Sequence, residues 1–258
     1  MMKIHFFGTC AGTEPMPGRK HVSFAVEKDG QLYWFDAGEG CSYTAHLMGL
    51  DLMSVRSIFI SHSHMDHVGG LGNLLWNIRK LDTLTGKMAG KSIDVFLANE
   101  KTWNGVMQLL SQTEGGFKIN FSLNRKSIAD GIIYNENGLC VKALHNTHLG
   151  VPDDGQWMSF SFRIEAEGQS IVFSGDLGAI DDIDPLIDDC DILLMETGHY
   201  KPEDVCNYIK NSNKNVKTLG FIHNGRHILK DAAYELSNAR KILGDNVFIT
   251  EDGMTIEI

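Results

Sequence analysis

The sequence predicts one α/β domain over residues 1–258, built as two mixed sheets face to face with helices outside, an αββα sandwich. Three observations predict it. Short apolar runs alternate with helical stretches from end to end, with no linker between them. The pattern is coarsely duplicated, each half giving a group of strands followed by helices. The run Ser61-His62-Ser63-His64-Met65-Asp66-His67 follows one of the strands, and strand ends are where ligands bind in α/β sheets.

The elements read in order as follows. Strands are expected at 4–7, 22–26, 32–35, 57–60, 93–97, 139–144, 159–164, 171–173, 192–195, 219–222 and 247–249, each a short, largely apolar run. Asp29-Gly30 and Glu167-Gly168 read as hairpin turns. Helices are expected near 41–49, 68–79, 100–112, 181–188, 202–212 and 229–243. Gly244 stops the last, and Pro202 with Glu203 and Asp204 suits the first turn of the helix at 202.

Composition narrows the function. Hydrophobic residues make up 43% of the 258, as in a globular soluble protein, and no segment has the length of a membrane span. The opening apolar run is too short for a signal peptide and is broken by Gly8. Five cysteines at 10, 41, 140, 190 and 206, an odd number without a C-x-x-C pair, read as reduced, mostly buried thiols of a cytoplasmic protein. The net charge of −10, with no Lys/Arg cluster, disfavours a long nucleic acid and favours a small substrate.

The histidine run carries the chemistry. Three imidazoles and a carboxylate within six residues are ligands for zinc, iron or manganese. Four such groups on so short a loop cannot all point one way, but they can serve two adjacent metals, His62 and His64 at one, Asp66 and His67 at the other.

His62-x-His64-x-Asp66-His67 after an apolar strand resembles the signature of the metallo-β-lactamase superfamily of metal-dependent hydrolases. The resemblance implies the αββα fold and requires a further His, Asp and His, each after a strand. His148 follows the strand at 139–144, with His145 as competitor. Asp176 ends Ser174-Gly175-Asp176, as the family's bridging aspartate does, although such a residue also serves as a turn or cap. His223 closes the strand 219–222. By this resemblance one metal is held by His62, His64 and His148, the other by Asp66, His67 and His223, and Asp176 bridges. Zinc is the default, while manganese and iron also fit.

Residues 8–13, 15–19, 35–40 and 252–254 resemble the ribonuclease Z-like branch. Asp36 either holds a ligand histidine in its tautomer or caps the turn at Gly38. His199 occupies the interval where the superfamily's phosphodiesterases carry a histidine that protonates the leaving group, and is otherwise a surface histidine at a helix start. Arg226 and His227 follow the last ligand, where either could bind a substrate anion. The long transfer RNA-gripping arm is missing, because residues 162–171 pass directly from strand to strand.

These implications together describe a binuclear phosphodiesterase of a small or cyclic phosphodiester, with Asp66 and His199 catalytic and Arg226 binding substrate. A homodimer is plausible by analogy. The alternatives are a lactonase or other ester hydrolase on the same metals, a ribonuclease Z-like RNA endonuclease, and a metal-binding scaffold without turnover.

Overall fold

Phe6, Phe24, Phe35, Phe59 and Phe96 lie side by side on five adjacent strands, neighbouring ring centroids 4.7–6.0 Å apart. Their sequence neighbours Phe7, Ala25, Trp34, Ile58 and Val95 belong to the core cluster on the other face. Both faces of this sheet are therefore apolar and buried, which is why its strands read as continuous hydrophobic runs.

The structure is a computed structural model and describes residues 2–258. The chain forms two compact units. The first comprises the chain up to Gly8, Met16–Ile128 and Asp252–Ile258; the second comprises Thr9–Pro15 and Ala129–Glu251.

In the first unit, β1 (Lys3–Gly8), β2 (Ser23–Lys28) and β3 (Gln31–Phe35) pair antiparallel. β4 (Val55–Phe59), β5 (Ser92–Phe96) and β6 (Ser122–Lys126) continue the sheet in parallel. The chain end returns as an antiparallel edge strand beside β1, Thr255–Glu257. The helices are α1 (Cys41–Leu47), α2 (Met65–Val68), α3 (Leu71–Thr85) and α4 (Glu100–Ser111). Leu71, Leu74, Leu75 and Ile78 give α3 an apolar stripe at helical spacing that joins the sheet's core cluster. Asn99 caps α4 by accepting from the Thr102 amide.

The second unit repeats the scheme. Its antiparallel strands are β7 (Gly131–Glu136), β8 (Leu139–His145), β9 (Phe160–Ala166) and β10 (Gln169–Phe173). β11 (Cys190–Glu196), β12 (Val216–Ile222) and β13 (Val247–Ile249) then add in parallel, leaving the terminal Thr255–Glu257 as β14. The helices are α5 (Asp184–Ile187), which follows a 3-10 turn at Ile180–Ile183, α6 (Pro202–Asn211), α7 (Arg226–Lys230) and α8 (Ala232–Leu243). Each unit thus holds one seven-stranded mixed sheet with helices, the duplication read from the sequence.

The two expected hairpins are present, with both turn residues of Asp29-Gly30 and Glu167-Gly168 at positive φ. Asn137-Gly138 forms a third between β7 and β8, a turn signal that the strand reading passed over. The helix expected over 229–243 is two helices. Asp231 leaves helical geometry and its side chain accepts the Tyr234 amide, starting α8. β6, β7 and β14, edge strands with mostly polar or exposed residues, were not expected.

Candidate metal centre

In the first unit the candidate ligand loop begins where β4 ends. Asp36, just past β3, is fully buried and receives the Ser61 amide at 2.7 Å, the Ser61 hydroxyl at 2.8 Å and His67 Nδ1 at 2.7 Å. Its carboxylate therefore fixes the loop and the His67 ring at once, the first of its two expected roles. With Nδ1 so engaged, Nε2 is the ring nitrogen of His67 left open to a metal. Asp66 Oδ2 lies 3.3 Å from that Nε2. The His62 ring packs 4.5 Å from His64 and 4.1 Å from His67, centroid to centroid. Asp66 and His67 ride on α2, which the sequence reading missed as a separate helix, and His64 sits at its N-terminus. All four expected ligands of this unit are brought together.

In the second unit the candidate ligands again follow strand ends. Asp176 lies past β10, 2% exposed. His223 Nδ1 is 3.3 Å from Asp176 Oδ1, and His148 Nε2 is 3.7 Å from Oδ2. His223 directly follows β12, in the left-handed region, φ 50°. Gly198 lies against it, and a Cβ there would stand 2.5 Å from His223 Nδ1. His145, the competitor of His148, is turned away from this group. It stacks on Trp157 at 3.9 Å and holds Asp130 at 2.6 Å.

Glu196 is the residue that sequence reasoning missed. It ends β11 fully buried, accepts the Leu177 amide at 2.9 Å, and holds both the amide and Nδ1 of His199 at 2.9–3.0 Å. The signal was available: Glu196-Thr197-Gly198-His199 closes an apolar strand, as Asp176 does. Asp176, Glu196, His199 and His223 each present a ligating atom within 4.8 Å of the others. Burial pushes the Glu196 carboxyl upward, but the His199 and His223 imidazoles beside it outweigh that and hold it below the ordinary range. The Glu196 hydrogen bond raises His199. The His199 side chain remains 44% exposed.

Two buried carboxylates, Asp176 and Glu196, share one cluster with histidines, a donor set suited to a dication that compensates buried negative charge. Imidazole and carboxylate donors in both units fit zinc, manganese or iron alike. Arg226 stands at the start of α7, exposed, with both its terminal nitrogens on Glu14 at 3.1 and 2.7 Å. His227 is exposed, 3.8 Å from Glu235. None of the five cysteines is in a disulfide, and burial pushes the Cys41, Cys190 and Cys206 thiols up to about 12. No described helix is long and apolar enough to cross a membrane.

Ligand loops behind the strands of two mixed seven-stranded sheets define the metallo-β-lactamase class of α/β sandwich. Residues 34–232 match the β-lactamase superfamily domain model, and the chain belongs to that superfamily. It is ribonuclease Z-like in sequence. It is 23% identical over 314 aligned positions to ribonuclease Z of Archaeoglobus fulgidus, covering 100% of this chain and 98% of that one. It is 26% identical over 235 positions to ribonuclease Z of Picrophilus torridus, covering 76% and 73%. Among solved structures it is similar to the short form of human tRNase Z (ELAC1), TM-score 0.76, 19% identity, 99% of each chain. The metallo-β-lactamase fold protein YhfI of Bacillus subtilis aligns over 100% of both chains, TM-score 0.74, 15% identity. A diphosphatase of the PhnP family aligns over 100% of this chain and 98% of its own, TM-score 0.66, 17% identity. The fold implies divalent metal ions.

Proposed function

We propose that residues 1–258 act as a single hydrolase domain, a cytoplasmic binuclear phosphodiesterase of a small or cyclic phosphodiester. His62, His64 and His148 would hold one divalent ion, Asp66, His67 and His223 the second, and Asp176 both, with zinc the default. Bound dications would lower the pKa of the attacking water and neutralise charge on the non-bridging oxygens. Asp66 accepts a hydrogen bond from that water and orients it. The water gives up one proton to solvent, its oxygen bonds to phosphorus, the ester P–O bond breaks, and the leaving oxygen takes a proton from His199 Nε2, which is reprotonated from solvent. Arg226 binds a substrate anion by exchanging Glu14 for it.

The observation that carries this reading is the Glu196–His199 contact. With Nδ1 at 2.9 Å from Glu196, the nitrogen left to deliver a proton is Nε2. A second reading, an RNA endonuclease, is favoured by the ribonuclease Z relatives. Against it stand the net charge of −10 and the two-residue turn that joins β9 to β10.

The test is a panel of bis-p-nitrophenyl phosphate, 2′,3′-cyclic nucleotides, a transfer RNA precursor and lactones, each with zinc and with manganese. Turnover of the small diesters is expected. His199→Ala should cost roughly a hundredfold or more on a cyclic nucleotide, whose alkoxide needs a proton, and far less on p-nitrophenyl esters. Equal losses on both would remove His199 as the acid. Turnover confined to lactones would make the protein an ester hydrolase, and turnover confined to the precursor would make it a ribonuclease.

A further inference from the structure

An apolar groove of about 500 Å³ runs between α3 and α4 in the first unit. That volume is in the range of small-molecule sites. Its near end is Met65, the residue between His64 and Asp66 in the ligand loop. Trp76, Val106 and Leu109 line it further along, and Met65 and Leu109 stay 74% and 65% exposed. No Asp, Glu, Lys or Arg lines the groove; Asn73, Thr102 and Thr113 are its polar groups, all uncharged.

Two glycines keep the groove open. Gly105 lies within α4, where a Cβ would meet nothing within 4 Å, and Gly72 lies within α3, where a Cβ would touch only Val106 at an ordinary 3.9 Å. Neither position has the positive φ that calls for glycine. Each weakens its helix relative to alanine. Local folding thus gives no reason for either, whereas space between the helices does.

We infer that this groove receives the apolar chain of the substrate, so that the phosphodiester is an alkyl ester. The inference rests on the phosphodiesterase reading above. The lining offers no cationic side chain to a second phosphate or a sugar phosphate, and most of it is apolar. The wall from Thr102 to Leu110 is about 12 Å long at the helical rise, room for a chain and more than a methyl ester fills. Continuity with the ligand loop through Met65 sets the order of the molecule, the phosphoryl group at the metals and the chain along α3 and α4.

The test uses the metal-loaded protein and a series of alkyl p-nitrophenyl phosphates from methyl to octyl. KM should fall about two- to fourfold per added methylene until the groove is filled. Gly105→Leu, which has room for its Cβ, should flatten that dependence, with the melting temperature checking that the fold persists. Binding is read separately from the fluorescence of Trp76, with Trp76→Phe as control. Octyl phosphonate should bind at least tenfold tighter than ethyl phosphonate. Chain-dependent binding without hydrolysis of any diester would keep the groove and remove the phosphodiesterase. Hydrolysis with one KM across the series, and equal phosphonate affinities, would overturn the groove alone. Gly105→Leu altering only self-association in sedimentation would also overturn it, making this face a contact between copies of the chain.

Discussion

Asp36 shows how one carboxylate can serve both a loop and a ligand. Its oxygens take the Ser61 amide, the Ser61 hydroxyl and His67 Nδ1. Asp36→Ala should release the His67 ring and weaken metal affinity about 10- to 100-fold, measured by chelator competition. An unchanged affinity would mean that the loop holds His67 without it. Asp191 is a residue of stability instead. Partial burial raises its carboxyl, but Lys217 and the Ser170 amide and hydroxyl outweigh that and hold it below the usual range. A carboxyl depressed in the folded state contributes above its unfolded pKa and loses that contribution as pH falls through the folded one. The stability gap between the protein and Asp191→Asn should therefore be full at neutral pH and shrink on acidification below about pH 4. Urea midpoints across pH measure it, and a gap independent of pH would contradict the assignment.

The elements were legible where burial wrote a pattern into them. β3, β10 and β11 are largely buried runs of mostly apolar residues and declare themselves as strands. β6, Ser-Leu-Asn-Arg-Lys, carries no such pattern, because only pairing along β5 makes it a strand. The break at Asp231 was hidden for a different reason: the residues on both sides are good helix formers, and the cap acts through one side chain. Asp231→Ala should cost about 1 kcal/mol in denaturant unfolding, the usual value of an N-cap. No change would mean that α8 is held by packing alone. The same logic bears on α4, whose Gly105 is invisible to periodicity yet opens the groove.

At the scale of the whole molecule, seven proposed ligands predict two metal equivalents per chain after reconstitution. His223→Ala should lower that number while His199→Ala leaves it. A value near one, unchanged by His223→Ala, would remove the binuclear model. Metal bound only by the folded chain stabilises it, by about 2.7 kcal/mol at a hundredfold excess over Kd. Chelation should then lower the melting temperature by about 5–10 °C for a chain of this size.

By itself the sequence determined the α/β class and the duplicated halves, and it singled out the six-residue run of candidate ligands, Asp176 and His223. These are local properties: a strand's apolar run and the polar residue that ends it are adjacent in the chain. Tertiary structure alone decided among residues whose neighbours are far away in sequence. It set His148 beside Asp176 and His145 against Trp157, though both follow the same strand. It put Asp36 on His67, 31 residues on, and turned Glu196 from the last residue of a strand into the holder of His199. A side chain's chemistry is written in its identity, but its partner is chosen by which strand ends the sheet lays side by side.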